Sequence, residues 1–167
     1  MEFQRSVNRM LHDDHMGAIA LLGRFGSFLR ERQGQGTPAA GDRTVEAMLN
    51  ELATAVETEV TVHFALEEEE LFPLMEEAGE GDLPAALLEE HRTILPVGLR
   101  VAELARAAGR DGFTDAGWAE FCRLGQTLVS ELTAHAEKEE IGFMPMLEEM
   151  LEPDVDARIT AGYAERR

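Results

Sequence analysis

The chain has 167 residues, of which 33 are acidic and 15 are Lys or Arg, so its formal charge is −18. This length favours one domain with a single core, and the negative charge argues against nucleic acid and anionic lipid surfaces as partners. Apolar residues make up 44% of the chain and aromatic residues 6%. Because Leu, Ala, Glu and Met are abundant, we predict an all-α fold.

The cysteine content and the distribution of apolar residues bear on the compartment. Cys122 is the only cysteine, so an intrachain disulfide is excluded. The first residues lack the apolar core of a signal peptide, and no apolar run approaches the roughly 18 residues that a membrane span needs. We therefore predict a cytoplasmic protein without a membrane partner.

Apolar residues recur every three or four positions in four long segments, and each segment has one histidine on its apolar face. The predicted helices span about residues 6–32, 43–77, 83–108 and 115–145. Asp42 is a suitable N-cap for the second helix, and either Thr114 or Asp115 for the fourth. Short loops between long helices predict an antiparallel up-down-up-down four-helix bundle.

Proline residues modify this simple arrangement. Pro73 and Pro96 lie inside the second and third predicted helices and predict kinks there. Pro153 predicts the start of a short C-terminal helix. We therefore divide the chain into the bundle, residues 1–152, and a helical extension, residues 153–167.

One motif occurs twice, as HFALEEEELFP at residues 63–73 and as HAEKEEIGFMP at residues 135–145. Each copy has a His, a Glu four residues later and a Pro ten residues later. Residues four apart lie on the same face of a helix, so each Glu lies beside its His. Both copies therefore direct one imidazole and one carboxylate into the bundle.

The first and third helices each add one inward histidine, His15 and His91. Counted at 1.5 Å per residue, His15 lies level with His63, and His91 with His135, while the remaining offset of roughly 9 Å can be absorbed at Pro73. A single histidine on an apolar face is more often an ordinary core residue, but four imidazoles and two buried carboxylates at one level need partners.

The predicted ligand set suits two metal ions about 3.5–4 Å apart, with both carboxylates able to bridge. Each ion would be bound by two imidazoles. The predicted metal ligands are His15, His63, Glu67, His91, His135 and Glu139.

Other acidic residues lie near these positions. Glu59 and Glu131 precede His63 and His135 by one turn, so they are candidates to orient imidazoles, relay protons or guide metal ions. Simple boundary charges are an equal alternative for both. Glu90, adjacent to His91 in the sequence, is a weaker candidate of the same kind.

Three further polar residues are predicted to lie off the ligand-bearing face. Glu68 and Glu140 follow the proposed Glu ligands and are rotated by a further 100°, so we expect them on the solvated surface. His12, one turn before His15, is displaced sideways. A surface or supporting role is therefore expected for His12.

These motifs resemble the hemerythrin-like HHE cation-binding domain family, whose mark is one His on a helix followed by His-x-x-x-Glu and a Pro on the next. Here the mark occurs twice, over about residues 8–150. The resemblance implies a non-haem centre of two iron ions, bridged by Glu67 and Glu139 and by an oxo or hydroxo group when oxidised. It also implies reactivity toward dioxygen, peroxide or nitric oxide.

The predicted ligand set is more similar to one group of this family than to another. Position 95 is Leu, where oxygen-carrying hemerythrins have a further His, and Glu139 stands where they have Asp. The four-His, two-Glu set is more similar to that of the di-iron repair proteins of nitrosative stress. Two functions are implied: a redox protein with an unknown electron donor that binds or reduces a small diatomic molecule or peroxide, or a non-catalytic iron-binding, sensing or iron-donor module.

Overall fold

The computed structural model describes residues 3–166, and residues 1, 2 and 167, the outer ends of the two predicted segments, lie outside the described residues. Within this range the chain forms helices and no strands, as predicted. None of the described helices combines the length and hydropathy that a bilayer crossing requires. The five helices are α1 (Ser6–Glu31), α2 (residues 43–77), α3 (Asp82–Asp111), α4 (residues 115–150) and α5 (Pro153–Arg166).

Local capping signals place the starts of two helices. Asp42 caps α2 as predicted, and its carboxylate accepts hydrogen bonds from two first-turn N–H groups at 3.0 and 3.3 Å. Thr114, rather than Asp115, caps α4. Helix α3 is longer than the predicted 83–108 and ends before Gly112, whose φ of 75° stops a helix.

The N-terminus of α1 is capped by a distant part of the chain. Arg5 precedes α1 and offers no side-chain cap. Instead, the Asp156 carboxylate of α5 accepts hydrogen bonds from the N–H groups of Ser6 and Val7, both at 2.9 Å. Since the last helix satisfies the first turn of the first helix, α5 is tied directly to the bundle.

Replacing Asp156 with alanine is expected to lower the free energy of unfolding by about 1–2 kcal/mol, the usual cost of losing a helix cap. Two backbone N–H groups would lose their acceptor. Urea unfolding measures the change, and Asp154→Ala, an exposed position on the same helix, is the matched control. Equal stability of the two variants would show that this contact contributes nothing.

The bundle is held by apolar packing between neighbouring helices. Helix α1 packs on α4, α2 on α3, α3 on α4, and α5 on α1. The α1–α4 contact is close at Gly125, where a Cβ atom would lie 2.7 Å from the ring of Phe25. Glycine at this position therefore sets the separation of the two helices.

The core consists of two hydrophobic clusters, and a layer of buried polar side chains that includes the four inward histidines lies between them. The cluster on one side of the layer includes Leu22, Phe25, Leu52, Ile94, Phe121 and Leu132. The cluster on the other side includes Leu11, Leu66, Leu87, Phe143 and Tyr163. Along α1 and α3 the order is the same, with His15 between Leu11 and Leu22 and His91 between Leu87 and Ile94. The histidines thus occupy the boundary between two packed regions.

Both motifs contain a π-helical segment, at Glu67–Leu71 in α2 and Glu139–Phe143 in α4. Pro73 and Pro145 lie just beyond these segments and have no N–H to donate to the fourth preceding carbonyl. The extra residue of a π turn accommodates this break and rotates the part of the helix beyond it. The kink predicted at Pro73 is therefore a π segment, and it begins at the glutamate of the motif.

Candidate metal centre

The structure brings all six predicted ligand side chains into one buried layer. None of them is more than 6% exposed. Their donor atoms form two overlapping groups, within each of which all atoms lie within 4.8 Å of one another. One group contains His15 and His63, the other His91 and His135, and both contain the same two carboxylates, Glu67 and Glu139.

The imidazoles are paired through their Nε2 atoms. Nε2 of His15 lies 3.1 Å from Nε2 of His63, and Nε2 of His91 lies 3.0 Å from Nε2 of His135. With metal–nitrogen bonds of about 2.1 Å, adjacent ligands of an octahedral ion lie about 3.0 Å apart and those of a tetrahedral ion about 3.4 Å apart. The two nitrogens of each pair are therefore close enough to bind one ion.

Each carboxylate lies between the two imidazole pairs. One oxygen of Glu139 lies 2.9 Å from Nε2 of His15, and the other lies 3.0 Å from Nε2 of His135. The oxygens of Glu67 lie 3.2 and 3.4 Å from the Nε2 atoms of the other two imidazoles. This is the placement that a carboxylate bridging two ions requires.

These carboxylate oxygens lie at ion-pair distances from the ring nitrogens. All four oxygens of Glu67 and Glu139 are buried, and none has a hydrogen-bond partner among residues 3–166. Buried carboxylates are costly unless positive charge lies beside them, and protonated imidazoles or metal ions can supply that charge. Two imidazole nitrogens and two carboxylates in each group are a donor set suited to iron, manganese or zinc.

The second ring nitrogen of every imidazole contacts a carboxylate from another helix. These contacts orient the rings, because a carboxylate at Nδ1 favours the tautomer that leaves Nε2 free for a metal. The Nδ1 contacts are His15 with Glu140 at 2.8 Å, His63 with Asp14 at 3.5 Å, His91 with Glu68 at 2.8 Å, and His135 with Glu90 at 2.9 Å.

The supporting carboxylates follow the duplication of the motif. Asp14 and Glu90 directly precede the ligand candidates His15 and His91, and each contacts the His of the neighbouring motif. Glu68 and Glu140 each follow the Glu of a motif and contact the ligand candidate of another helix, His91 and His15. The two halves of the centre are therefore built by the same rule.

Two predictions about these residues were wrong in part. Glu68 and Glu140 were expected on the solvated surface, and Glu68 is exposed, yet both contact imidazoles. Their rotation away from the ligand-bearing face directs them toward the adjacent helix, where the outer nitrogen of a ring lies. His12, for which a surface or supporting role was expected, contacts Glu140 at 3.0 Å and is partly exposed.

The remaining candidates for a supporting role are Glu59, Glu131 and Glu90. Both are exposed, and within the described range neither forms a hydrogen bond with an imidazole. Glu90 does contact an imidazole, but on the neighbouring helix rather than next to it in sequence. Sequence reasoning missed Asp14, although its position before His15 parallels that of Glu90 before His91.

The two imidazole pairs have different surroundings. A cavity of about 50 Å³ with mainly apolar walls, formed by residues such as Ala18, Val56 and Leu132, reaches His15 and His63. His91, in contrast, is stacked on Phe64, with ring centroids 3.6 Å apart. The ring of Phe72 also packs against His91, at a centroid distance of 5.5 Å. His135 also lines the cavity. The His15–His63 side is therefore the more open one.

Charges within the layer shift the pKa values of its members. Burial disfavours the charged form of His63, but the carboxylate of Glu67 outweighs burial and holds the pKa well above its usual value. The pKa of His135 is raised, since Glu139 outweighs burial there too. Burial opposes the charge of Glu139, yet the neighbouring imidazoles lower its pKa well below the usual range. Metal ions must therefore displace protons from this layer.

The metal-free protein is expected to be most stable between about pH 4.3 and 6.5, the unfolded-state pKa values of Glu and His. Stability from His pKa values raised by folding is complete below the upper limit and is lost as the pH rises through them. Stability from lowered Glu pKa values is complete above the lower limit and is lost as the pH falls. Thermal melts of metal-free protein from pH 4 to 9 test this.

Glu139→Gln supplies the control for that titration. This change removes a carboxylate that raises the pKa values of both His15 and His135. The fall in melting temperature above pH 6.5 is therefore expected to be shallower in the variant. Identical slopes in the two proteins would mean that these imidazoles do not govern the pH dependence.

The fold and the site define a helical-bundle metal-binding protein, with imidazoles from four helices and carboxylates from two. The family model for the Hemerythrin HHE cation binding domain matches residues 6–147, which include all six ligand candidates. The chain belongs to this family. A search of curated proteins found no match to the chain. Helix α5 follows the matched segment.

Proposed function

We propose that this protein is a cytoplasmic non-haem di-iron protein that binds or reacts with dioxygen, nitric oxide or peroxide under oxidative or nitrosative stress. The observation that supports this most directly is the placement of Glu67 and Glu139, each between two imidazole pairs. Two buried carboxylates shared by two donor groups fit a pair of ions better than one ion.

In this proposal His15 and His63 would hold one iron ion, His91 and His135 would hold the other, and Glu67 and Glu139 would supply carboxylates to both. Bound iron would supply one-electron redox chemistry and open positions for a small ligand. The supporting carboxylates Asp14, Glu68, Glu90 and Glu140 hold the imidazoles in orientation.

The cavity on the His15–His63 side is evidence for a small ligand. Its volume of about 50 Å³ suits a molecule of two or a few atoms, and its walls are mainly apolar. Because few polar groups line it, bulk water gains little by filling it. A diatomic molecule or peroxide could approach the centre here, whereas a larger metabolite could not.

A non-catalytic iron-binding, sensing or iron-donor module is the second candidate. It is favoured by a larger polar cavity of about 280 Å³ beside Asp14, which offers carboxylates on the outer side of the centre. The same six ligands would serve this function. Turnover, rather than ligand identity, distinguishes the two candidates.

Metal analysis and optical spectra of protein purified without oxygen, and then exposed to air, test the proposal. Two irons per chain with oxo-to-iron charge-transfer bands after exposure are expected. Catalytic loss of added peroxide or nitric oxide would favour the redox function, and tight iron binding with negligible turnover would favour the module. One zinc per chain would contradict both.

A further inference from the structure

The four supporting contacts are not equal. Three of the Nδ1-to-carboxylate distances are 2.8, 2.8 and 2.9 Å, while that between His63 and Asp14 is 3.5 Å. A hydrogen bond weakens steeply over such an increase in distance. His63 is therefore the imidazole with the weakest outer support, and it belongs to the more open half of the centre.

Tyr163 contacts the same carboxylate as His63. Its hydroxyl donates to Oδ2 of Asp14 at 2.5 Å, and Oδ2 is also the oxygen that faces Nδ1 of His63. The phenol and the imidazole therefore share one carboxylate oxygen, with the phenol at the shorter distance. Tyr163 is 1% exposed and lies on α5, beyond the matched segment of the chain.

Two cavities meet at this contact. The inner apolar cavity reaches His15 and His63 and has Asp14 and Glu59 in its wall. The outer cavity of about 280 Å³ has the same two carboxylates in its wall, together with Tyr163 and Arg166 of α5. The carboxylate of Asp14 therefore lies where a path from beneath α5 would reach the centre.

We propose that the outer cavity beneath α5 is the route by which divalent metal ions exchange with the His15–His63 position, and that Tyr163 is a positioning residue that makes this position the more labile one. Asp14 and Glu59 supply carboxylates along the route. Because the Tyr163 hydroxyl competes with His63 for Asp14, it weakens His63 as a ligand. The His91–His135 position, covered by Phe64 and Phe72, exchanges slowly. This inference depends on the proposed function only for the presence of two ions.

The test is release of Fe²⁺ from anaerobically loaded full-length protein to an excess of a coloured chelator. Two phases of equal amplitude are expected in the natural protein. In Tyr163→Phe, Asp14 no longer accepts from the phenol and is expected to support His63 more strongly, so the fast phase is expected to slow by about tenfold, at the lower end of effects of such supporting residues. The slow phase should not change. Arg158→Gln, which removes only the ion pair of α5 with Glu70, is the matched control and should leave both phases unchanged.

A second set of variants separates positioning from loss of structure. Asp14→Asn is expected to accelerate the fast phase by about tenfold, and adding Tyr163→Phe to it should have no further effect, because both residues act through one oxygen. Thr58→Trp, at the exposed wall of the outer cavity, should slow both loading and the fast phase. Gln126→Trp, exposed on α4, should do neither.

The outcomes distinguish this inference from the proposed function. Protein that binds no iron would contradict the proposed function and the exchange route together. Two bound irons with unchanged or accelerated release in Tyr163→Phe would contradict the role of Tyr163 alone. Unchanged loading in Thr58→Trp would place the route elsewhere.

Discussion

Replacing Glu139 with glutamine is expected to leave the bundle folded and to reduce the bound iron from two ions per chain to one or none. Glu139 contacts both imidazole pairs, so its loss affects both positions. Two divalent ions in this layer meet only two ligand carboxylates, and glutamine would leave one of them to face both ions directly. We expect the affinity to fall by more than about 100-fold, beyond the effect of a supporting residue.

Metal analysis after dialysis against a defined free Fe²⁺ concentration measures this loss, with circular dichroism to establish the fold. Glu137→Gln is the matched control, because Glu137 lies two residues away on the same helix and is exposed. The control should retain two ions. Retention of two ions by Glu139→Gln would show that the carboxylate is not a ligand.

Loading the metal-free protein with Fe²⁺ without oxygen is expected to raise its melting temperature by about 10 °C or more. An ion at about 1,000 times its dissociation constant stabilises the folded state by about 4 kcal/mol per site. For a chain of this size, each kcal/mol shifts the melting temperature by about 2–4 °C. The gain is large because the ions satisfy carboxylate oxygens that otherwise have no hydrogen-bond partner.

Differential scanning calorimetry at pH 7.5 with and without Fe²⁺ measures this shift. The gain should grow with pH, because the imidazoles bind the ion in their neutral form. Under the same conditions Glu139→Gln should gain little. A melting temperature that does not respond to iron in the natural protein would exclude a buried metal centre.

Contacts between residues close in the sequence could be predicted, and contacts between distant residues could not. The cap of α2 could be predicted because Asp42 lies two and three residues from the N–H groups that it accepts from. The cap of α1 could not, because Asp156 is about 150 residues away in the chain. The contact between Tyr163 and Asp14 spans 149 positions and joins two helices that no motif relates.

The sequence by itself determined the helical class, the four long helices and the six ligand candidates. Spacings of three and four residues determine which side chains share a helix face. The constant rise per residue determines the position of each side chain along the bundle axis. Tertiary structure alone decided which carboxylate supports which imidazole, and that one pair is stacked under Phe64 while the other borders a cavity. Those contacts depend on the rotation and distance of neighbouring helices, which are set by packing of the whole core and not by any local spacing.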